Sequence, residues 1–262
     1  MHDVFAPVGP GLVAFDLIGT VVDAGHRYAS AFSNVCTANG IARPPKEQIL
    51  KALGEKNLKQ IIDEFVPADI AAKLDLSTFM NDCNTSCDLL LQAEGWEENL
   101  YEGLPELLSY MRAYGYEPAI YTGIRQAAMQ KLTAHHGLDV LVREELMIGK
   151  DPVTGMNMAQ TDIKQVQLAH LYAAYEDVFD AEGLMTGHAF HVVGDSPADF
   201  HAAHGIGATF YGFVPTLAKR EALLNAGVHE GRLFRSFTEL AGILGVSVPE
   251  AGAPAALRDF RR

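Results

Sequence analysis

A chain of 262 residues with 48% hydrophobic content can bury one large core, or one core and a smaller second domain, which excludes a disordered or fibrous reading. Its 20 Lys and Arg stand against 33 Asp and Glu, and the net charge of −13 repels nucleic-acid phosphates and anionic membranes, leaving a small-molecule substrate as the expected partner. No stretch reaches the roughly 18–20 consecutive apolar residues of a membrane span, and Met1 to Pro10 lack a basic region followed by an apolar one, so the expected location is cytoplasmic.

In chain order, Leu12-Val13-Ala14-Phe15 is a short apolar run that stops at Asp16, the pattern of a buried strand delivering a residue to a loop. From Ala24 to Asn99 the pattern is helical throughout. Leu50, Leu53, Leu58, Ile61, Ile62 and Phe65 form one amphipathic set, Leu89 to Leu91 belong to another, and Pro44-Pro45 is an internal break. About 75 residues without a strand pattern are too many for a crossover, so this block reads as a second, helical domain over the strand ends. Its Cys36, Cys83 and Cys87 are an odd count and read as free, buried thiols.

Further along, helical patterns at Leu104 to Tyr114, Gln126 to His135, Ile163 to Tyr175 and Ala198 to His204 alternate with strand patterns. Pro118 to Tyr121 runs into Thr122-Gly123, and Phe190 to Val193 runs into Gly194-Asp195-Ser196. Ala208 to Phe213 is a fourth strand and Phe237 to Leu244 a closing helix. Asp151 to Gly155 looks like a turn, and His135, His136, His201 and His204 read as surface or capping residues. This alternation predicts a doubly wound α/β fold with a parallel sheet. Three strands that end in small or acidic polar residues then share one crevice. The expected division is residues 11–23 and 100–245 for the sheet domain, 24–99 for the helical domain and 246–262 for a loose tail; a homodimer is compatible with the sequence.

The run Phe15-Asp16-Leu17-Ile18-Gly19-Thr20 resembles the first motif of the haloacid dehalogenase superfamily, whose usual form is D-x-D-G-T. Thr122 matches the second motif, Lys164 the third, and Gly194-Asp195-Ser196-Pro197-Ala198-Asp199 the fourth, in the right order. The resemblance implies a Rossmann-like core with a helical cap and a Mg²⁺-dependent hydrolase in which Asp16 is the nucleophile. It implies Asp16, the Ile18 carbonyl, Asp195 and Asp199 as oxygen ligands of Mg²⁺, and Thr122 and Lys164 as the groups that bind the transferring group. Thr20 and Gly123 join them at the substrate. Lys150, in Gly149-Lys150-Asp151-Pro152, is the rival for the lysine role; Lys164 is favoured because it opens a helix and stands closer to Asp195 in sequence.

The sequence departs from the usual motif at Ile18, where most members carry a second Asp that protonates the leaving alkoxide and then activates water. Ile can do neither. Members similar in lacking that Asp include phosphonoacetaldehyde hydrolases, which use a Schiff-base lysine on the cap. The stretch Leu53-Gly54-Glu55-Lys56-Asn57-Leu58-Lys59 resembles that branch, with Asn57 at the lysine's position and Lys56 beside it, both expected to face substrate. The leading expectation is therefore hydrolysis of a small phosphonate or phosphorylated metabolite. The alternatives are a haloacid dehalogenase-like cleavage of a carbon–halogen bond and a non-catalytic protein that binds a phosphoryl ligand.

Overall fold

A computed structural model describes residues 11–55, 58–93, 98–150, 159–181 and 189–248. In chain order, β1 (Gly11–Asp16) leads through a tight turn to the short β2 (Val22–Asp23). Five helices follow: α1 (Gly25–Ala38), α2 (Lys46–Glu55), α3 (Leu58–Phe65), α4 (Ala68–Ala71) and α5 (Leu76–Gln92). The short β3 (Asn99–Leu100) then precedes α6 (Leu104–Met111), β4 (Glu117–Arg125), α7 (Gln126–His135), β5 (Met147–Lys150) and α8 (Gln160–Ala181). The chain continues through β6 (Ala189–Gly194), α9 (Pro197–Gly205), β7 (Thr209–Phe213), α10 (Leu217–Asn225), β8 (Leu233–Phe234) and α11 (Phe237–Leu244).

The main sheet has six parallel strands in the order β5-β4-β1-β6-β7-β8. Helices cover both faces of such a sheet, so its central strands lose the alternating pattern of a half-exposed strand, and every residue of β1 is buried. Strand order reverses between β4 and β6 around β1, the topological switch point at which open α/β sheets place a ligand crevice. The expected doubly wound parallel sheet is what the structure shows.

Several helices after the strands start on a capping hydroxyl: Ser196 for α9, Thr216 for α10 and Ser236 for α11 each accept a backbone N–H of the first turn. Four differences from the expectation follow from short or weak patterns. Strands β5 and β8 have four and two residues, too few to show a period. Helix α10 buries only Leu223, so it lacks an apolar stripe. Strand β4 continues past Thr122 to Arg125, with its pairing to β5 shifted between Tyr121 and Arg125. Helix α8 extends beyond the Ile163 to Tyr175 pattern at both ends.

Two apolar clusters are separate. One surrounds the sheet, from Leu12 to Val246; the other lies within the helical insertion and includes Phe32, Val35, Ile49, Ile61 and Phe79. The segment expected to be a loose tail is thus anchored at its first residue, since Val246 is buried in the sheet cluster. The two crossings between sheet and insertion lie side by side, because β2 and β3 pair antiparallel, Val22 with Leu100 and Asp23 with Asn99. Beside this hinge the Arg27 Nε of α1 approaches Glu98 Oε1 at 2.9 Å, with both side chains shielded from water. Cys36, Cys83 and Cys87 are free and buried, as expected, and burial pushes their thiols up to about 11, 12 and 11.

Candidate active site

The crevice is assembled from the carboxyl ends of β1, β4 and β6. Asp16 is the last residue of β1, and the chain turns at once: Leu17 N–H donates to the Tyr121 carbonyl at 3.0 Å, and Val22 N–H returns to the Leu17 carbonyl at 2.8 Å. Gly19 makes this turn with φ +88°, a left-handed conformation, and a side chain there would collide with Asp195 Oδ2 at 2.5 Å. The Gly of the motif therefore lets the β1 loop close onto the acid of β6. Ile18, with its carbonyl, lies in the same turn and is half-buried.

Lys164, in the first turns of α8, reaches under this turn. Its Nζ lies 3.2 Å from Asp16 Oδ1 and 2.6 Å from Asp199 Oδ1. Asp199 accepts on both oxygens: Tyr121 hydroxyl at 2.7 Å and Lys164 at 2.6 Å on Oδ1, Ser196 hydroxyl at 2.6 Å and Ser196 N–H at 3.1 Å on Oδ2. Four donors fill the acceptor sites of one carboxylate. Gly194 makes this packing possible, since a Cβ there would meet Asp199 Cβ at 2.4 Å.

The electrostatics divide the two carboxylates that share Lys164. Burial would raise the Asp199 pKa, but Lys164, Ser196 and Tyr121 outweigh it and hold the group below the usual carboxylate range. Burial raises Asp16 well above that range; Lys164 opposes this, while the charges of Asp199 and Asp195 add to it. The ammonium sits closer to Asp199 and serves it first. Lys164 is itself raised, because Asp16 and Asp199 together outweigh its desolvation.

The oxygens of Asp16, Asp195 and Asp199 lie within 4.8 Å of one another, all buried. A second lysine, Lys219 of α10, lies 2.6 Å from Asp195 Oδ2 with its side chain 37% exposed. Burial would lower its pKa; the Asp195 charge and hydrogen bond outweigh this and raise it. Three carboxylates against two ammonium groups leave an excess of negative charge, and hard carboxylate oxygens at this spacing fit Mg²⁺. Among the buried polar atoms without a hydrogen-bond partner in the described residues are Thr20 Oγ1, in the β1 turn, and Gln167 Oε1 of α8. The Gln167 amide donates to the Thr122 carbonyl at 2.8 Å, and the Thr122 hydroxyl accepts weakly from Ile124 N–H at 3.4 Å. Gly123 lies under the Gln160 amide, which a Cβ at that position would strike.

The structure thus brings together Asp16, Ile18, Thr20, Thr122, Gly123, Lys164, Asp195 and Asp199. Lys164 meets Asp16, whereas Lys150 lies on β5 in register with Arg125. Lys56 and Asn57 lie outside the described residues, as does the Asp151 to Gly155 turn. Sequence reasoning missed Lys219 and Gln167. Gln167 had a signal, three residues after Lys164 on the same helix face; Lys219 had a fainter one, the first turn of a helix that follows a strand of the same sheet.

The model of the haloacid dehalogenase-like hydrolase family matches residues 13–213. Tyrosine-protein kinase PtkA of Mycobacterium tuberculosis and of Mycobacterium bovis is 26% identical over 216 residues, 78% of this chain. The chain spans 62% of the length of these relatives. Among solved structures, a predicted phosphatase from Clostridium acetobutylicum is similar with TM-score 0.62 and 20% identity, covering 90% of this chain and 99% of that one. A HAD family hydrolase from Deinococcus radiodurans, solved with bound phosphate and sodium, has TM-score 0.59 and 21% identity over 92% of this chain and all of the other. At these identities the structures share the fold.

Proposed function

The chain belongs to the haloacid dehalogenase-like hydrolases, and on that premise we propose that it is a Mg²⁺-dependent hydrolase of small phosphorylated or phosphonate substrates, acting through a covalent intermediate on Asp16. The observation that carries this reading is the Lys164 ammonium 3.2 Å from Asp16, beside Asp195 at metal-ligand spacing. Asp16, Asp195 and the Ile18 carbonyl would hold the ion, and Asp199, whose oxygens are already engaged, keeps Lys164 in place and stands near enough to join them. Mg²⁺ would supply charge that offsets the repulsion between a carboxylate nucleophile and an anionic substrate.

An Asp16 oxygen attacks phosphorus, and the bond to the leaving group breaks. Lys164 neutralises the oxygens of the transferring group, while Thr122 and Thr20 offer hydroxyl donors to it; Thr20 Oγ1 has no competing partner among the described residues. Burial raises Asp16, and the positive charge of a bound ion would oppose that rise and favour the ionised nucleophile. Ile18 supplies no proton. General acid–base catalysis is worth about 10²–10⁴-fold, so the leaving group must either depart unprotonated or find a donor elsewhere.

A second reading has its own support in the kinases named above. A nucleotide diphosphate leaves without a proton, which suits Ile18, and the acceptor would be a tyrosine hydroxyl. The test is a screen of phosphate esters, phosphonates, 2-haloacids and MgATP with a tyrosine peptide, each with and without Mg²⁺, beside Asp16→Asn. We expect Mg²⁺-dependent phosphate release that disappears in Asp16→Asn. Phosphate release that survives the substitution sinks the mechanism. Halide release without Mg²⁺ favours a dehalogenase, peptide phosphorylation the kinase reading, and ligand binding without turnover a non-catalytic role.

A further inference from the structure

The carboxylates of the crevice hold their cations in different ways. Asp199 engages four donors, and Lys164, which it shares with Asp16, is enclosed, its ammonium 5.5 Å from the Tyr121 ring centre. Asp195 is as well shielded as these two, yet its ion-pair partner arrives from the solvent side. The Lys219 ammonium lies 2.6 Å from Asp195 Oδ2 on a side chain that is 37% exposed. The lysine backbone is fixed, because Lys219 N–H donates to the capping Thr216 hydroxyl at 3.3 Å in the first turn of α10. Its stem is not enclosed in the same way, since α10 buries only Leu223, and a four-carbon lysine stem at an open position keeps its rotamer freedom.

The oxygen that Lys219 occupies is the one turned toward the nucleophile's loop. A Cβ on Gly19 would meet Asp195 Oδ2 at 2.5 Å and Oδ1 only at 3.2 Å, so Oδ2 faces the turn that carries Asp16 and the Ile18 carbonyl. Ligand oxygens of Asp16 and Asp195 lie within 4.8 Å of each other. An ammonium on Asp195 therefore stands one carboxylate away from Asp16. Helix α10 also packs against α2 of the insertion, which sets Lys219 where the sheet domain meets the helical domain. A divalent cation that takes Asp195 on this side meets the ammonium as a like charge at close range. Lys164 cannot yield in its place, because its departure would leave two buried carboxylates without a counter-ion.

We propose that Lys219 is an exchangeable counter-ion: it holds Asp195 until a divalent cation takes that carboxylate, and then turns its ammonium to the anionic substrate over Asp16. The proposal rests on the reading of Asp195 as a Mg²⁺ ligand. No covalent bond changes; Lys219 gives up one ion pair, to Asp195, and makes another, to phosphoryl oxygens. Removing the ammonium then acts in opposite directions on the two ligands. Mg²⁺ no longer displaces a positive charge, while the anion loses one of its cations. The exchange also couples the two binding events, since the lysine freed by the first serves the second. A lysine that only supported the fold would shift both affinities the same way.

The test is titration calorimetry of the full chain at one neutral pH, with MgCl₂ alone and then with inorganic phosphate at saturating Mg²⁺. Wild type, Lys219→Met, Lys219→Gln and Asp195→Asn are compared. We expect both lysine variants to bind Mg²⁺ about tenfold more tightly than wild type and phosphate about tenfold more weakly, the size of one partly shielded charge pair. Mg²⁺ affinity that is unchanged or weaker in both lysine variants overturns the counter-ion role. Phosphate affinity that is unchanged in both overturns the transfer to substrate, and with it the proposal. If neither wild type nor the lysine variants bind Mg²⁺, or if Asp195→Asn binds it as wild type does, the reading of Asp195 as a metal ligand fails instead.

Discussion

The Lys164–Asp199 pair beneath the crevice and the Arg27–Glu98 pair at the hinge are both shielded from water, yet they are bonded differently. Under the crevice each Asp199 oxygen meets two donors, from three elements of the fold. At the hinge, Arg27 Nε and Nη2 make no aligned hydrogen bond among the described residues, although Nε is 2.9 Å from a carboxylate oxygen. The first arrangement fixes direction as well as charge, as a site must when reacting atoms have to be held in register. The second places a charge pair beside the two chain crossings without the same directional bonding at Arg27 Nε and Nη2.

Substitutions can break this contrast. Lys164→Met leaves Asp16 and Asp199 buried without their counter-ion and should cost about 3–5 kcal/mol in denaturant unfolding. Adding Asp199→Leu should recover only part of that, because Tyr121 and Ser196 then lose their acceptor, about 1–3 kcal/mol for buried donors left unmet. Arg27→Met should also destabilise, but Arg27→Met with Glu98→Leu should return close to wild type, since apolar replacement of a buried pair is often neutral. Equal recovery at both sites would show that directional bonding does not separate them.

The pH dependence sharpens the same point in metal-free buffer. Asp199 is held below its ordinary value, so its stabilisation is complete above about pH 4 and is lost as the pH falls through the lowered folded pKa. Asp16 is raised, so its ionised form weakens the fold, fully above the raised pKa and not at all below the ordinary one. Thermal melts should find Asp199→Asn less stable than wild type at neutral pH, with the gap closing only in strong acid. Asp16→Asn should be the more stable protein at neutral pH, with its advantage fading as acid protonates the wild-type residue. A neutral-pH advantage for Asp199→Asn would reverse the assignment of Lys164 to Asp199.

The smallest effect is expected where sheet domain and insertion meet in solvent. Arg125 Nε lies 3.9 Å from Asp88 of α5 with the arginine 72% exposed. Arg125→Ala should change unfolding free energy by less than about 0.5 kcal/mol. A larger loss would mean that this contact contributes more to holding α5 against the sheet domain than a solvent-exposed ion pair does.

Much of the site was legible in the sequence because its signals are local. An apolar run that stops at Asp16 or just before Asp195 is a buried strand ending at the sheet's rim, while β4 runs on past Thr122 to Arg125; the neighbouring glycines are explained by close approach, Gly19 against Asp195 and Gly194 against Asp199. Helix α10 escaped because it buries only Leu223 and shows no apolar stripe, and the short β5 and β8 because a period needs several residues to appear.

The sequence by itself determined that three strands would carry small or acidic residues to a common edge, and that Ile18 stands where the family's usual motif has its second Asp. Only the tertiary structure decided that Lys164 and not Lys150 meets Asp16, and that Lys219 reaches Asp195. The reason is physical. A strand end is set by neighbours within a few residues, whereas the meeting of side chains from separate elements depends on strand order, helix rotation and the angle at which the insertion crosses the sheet.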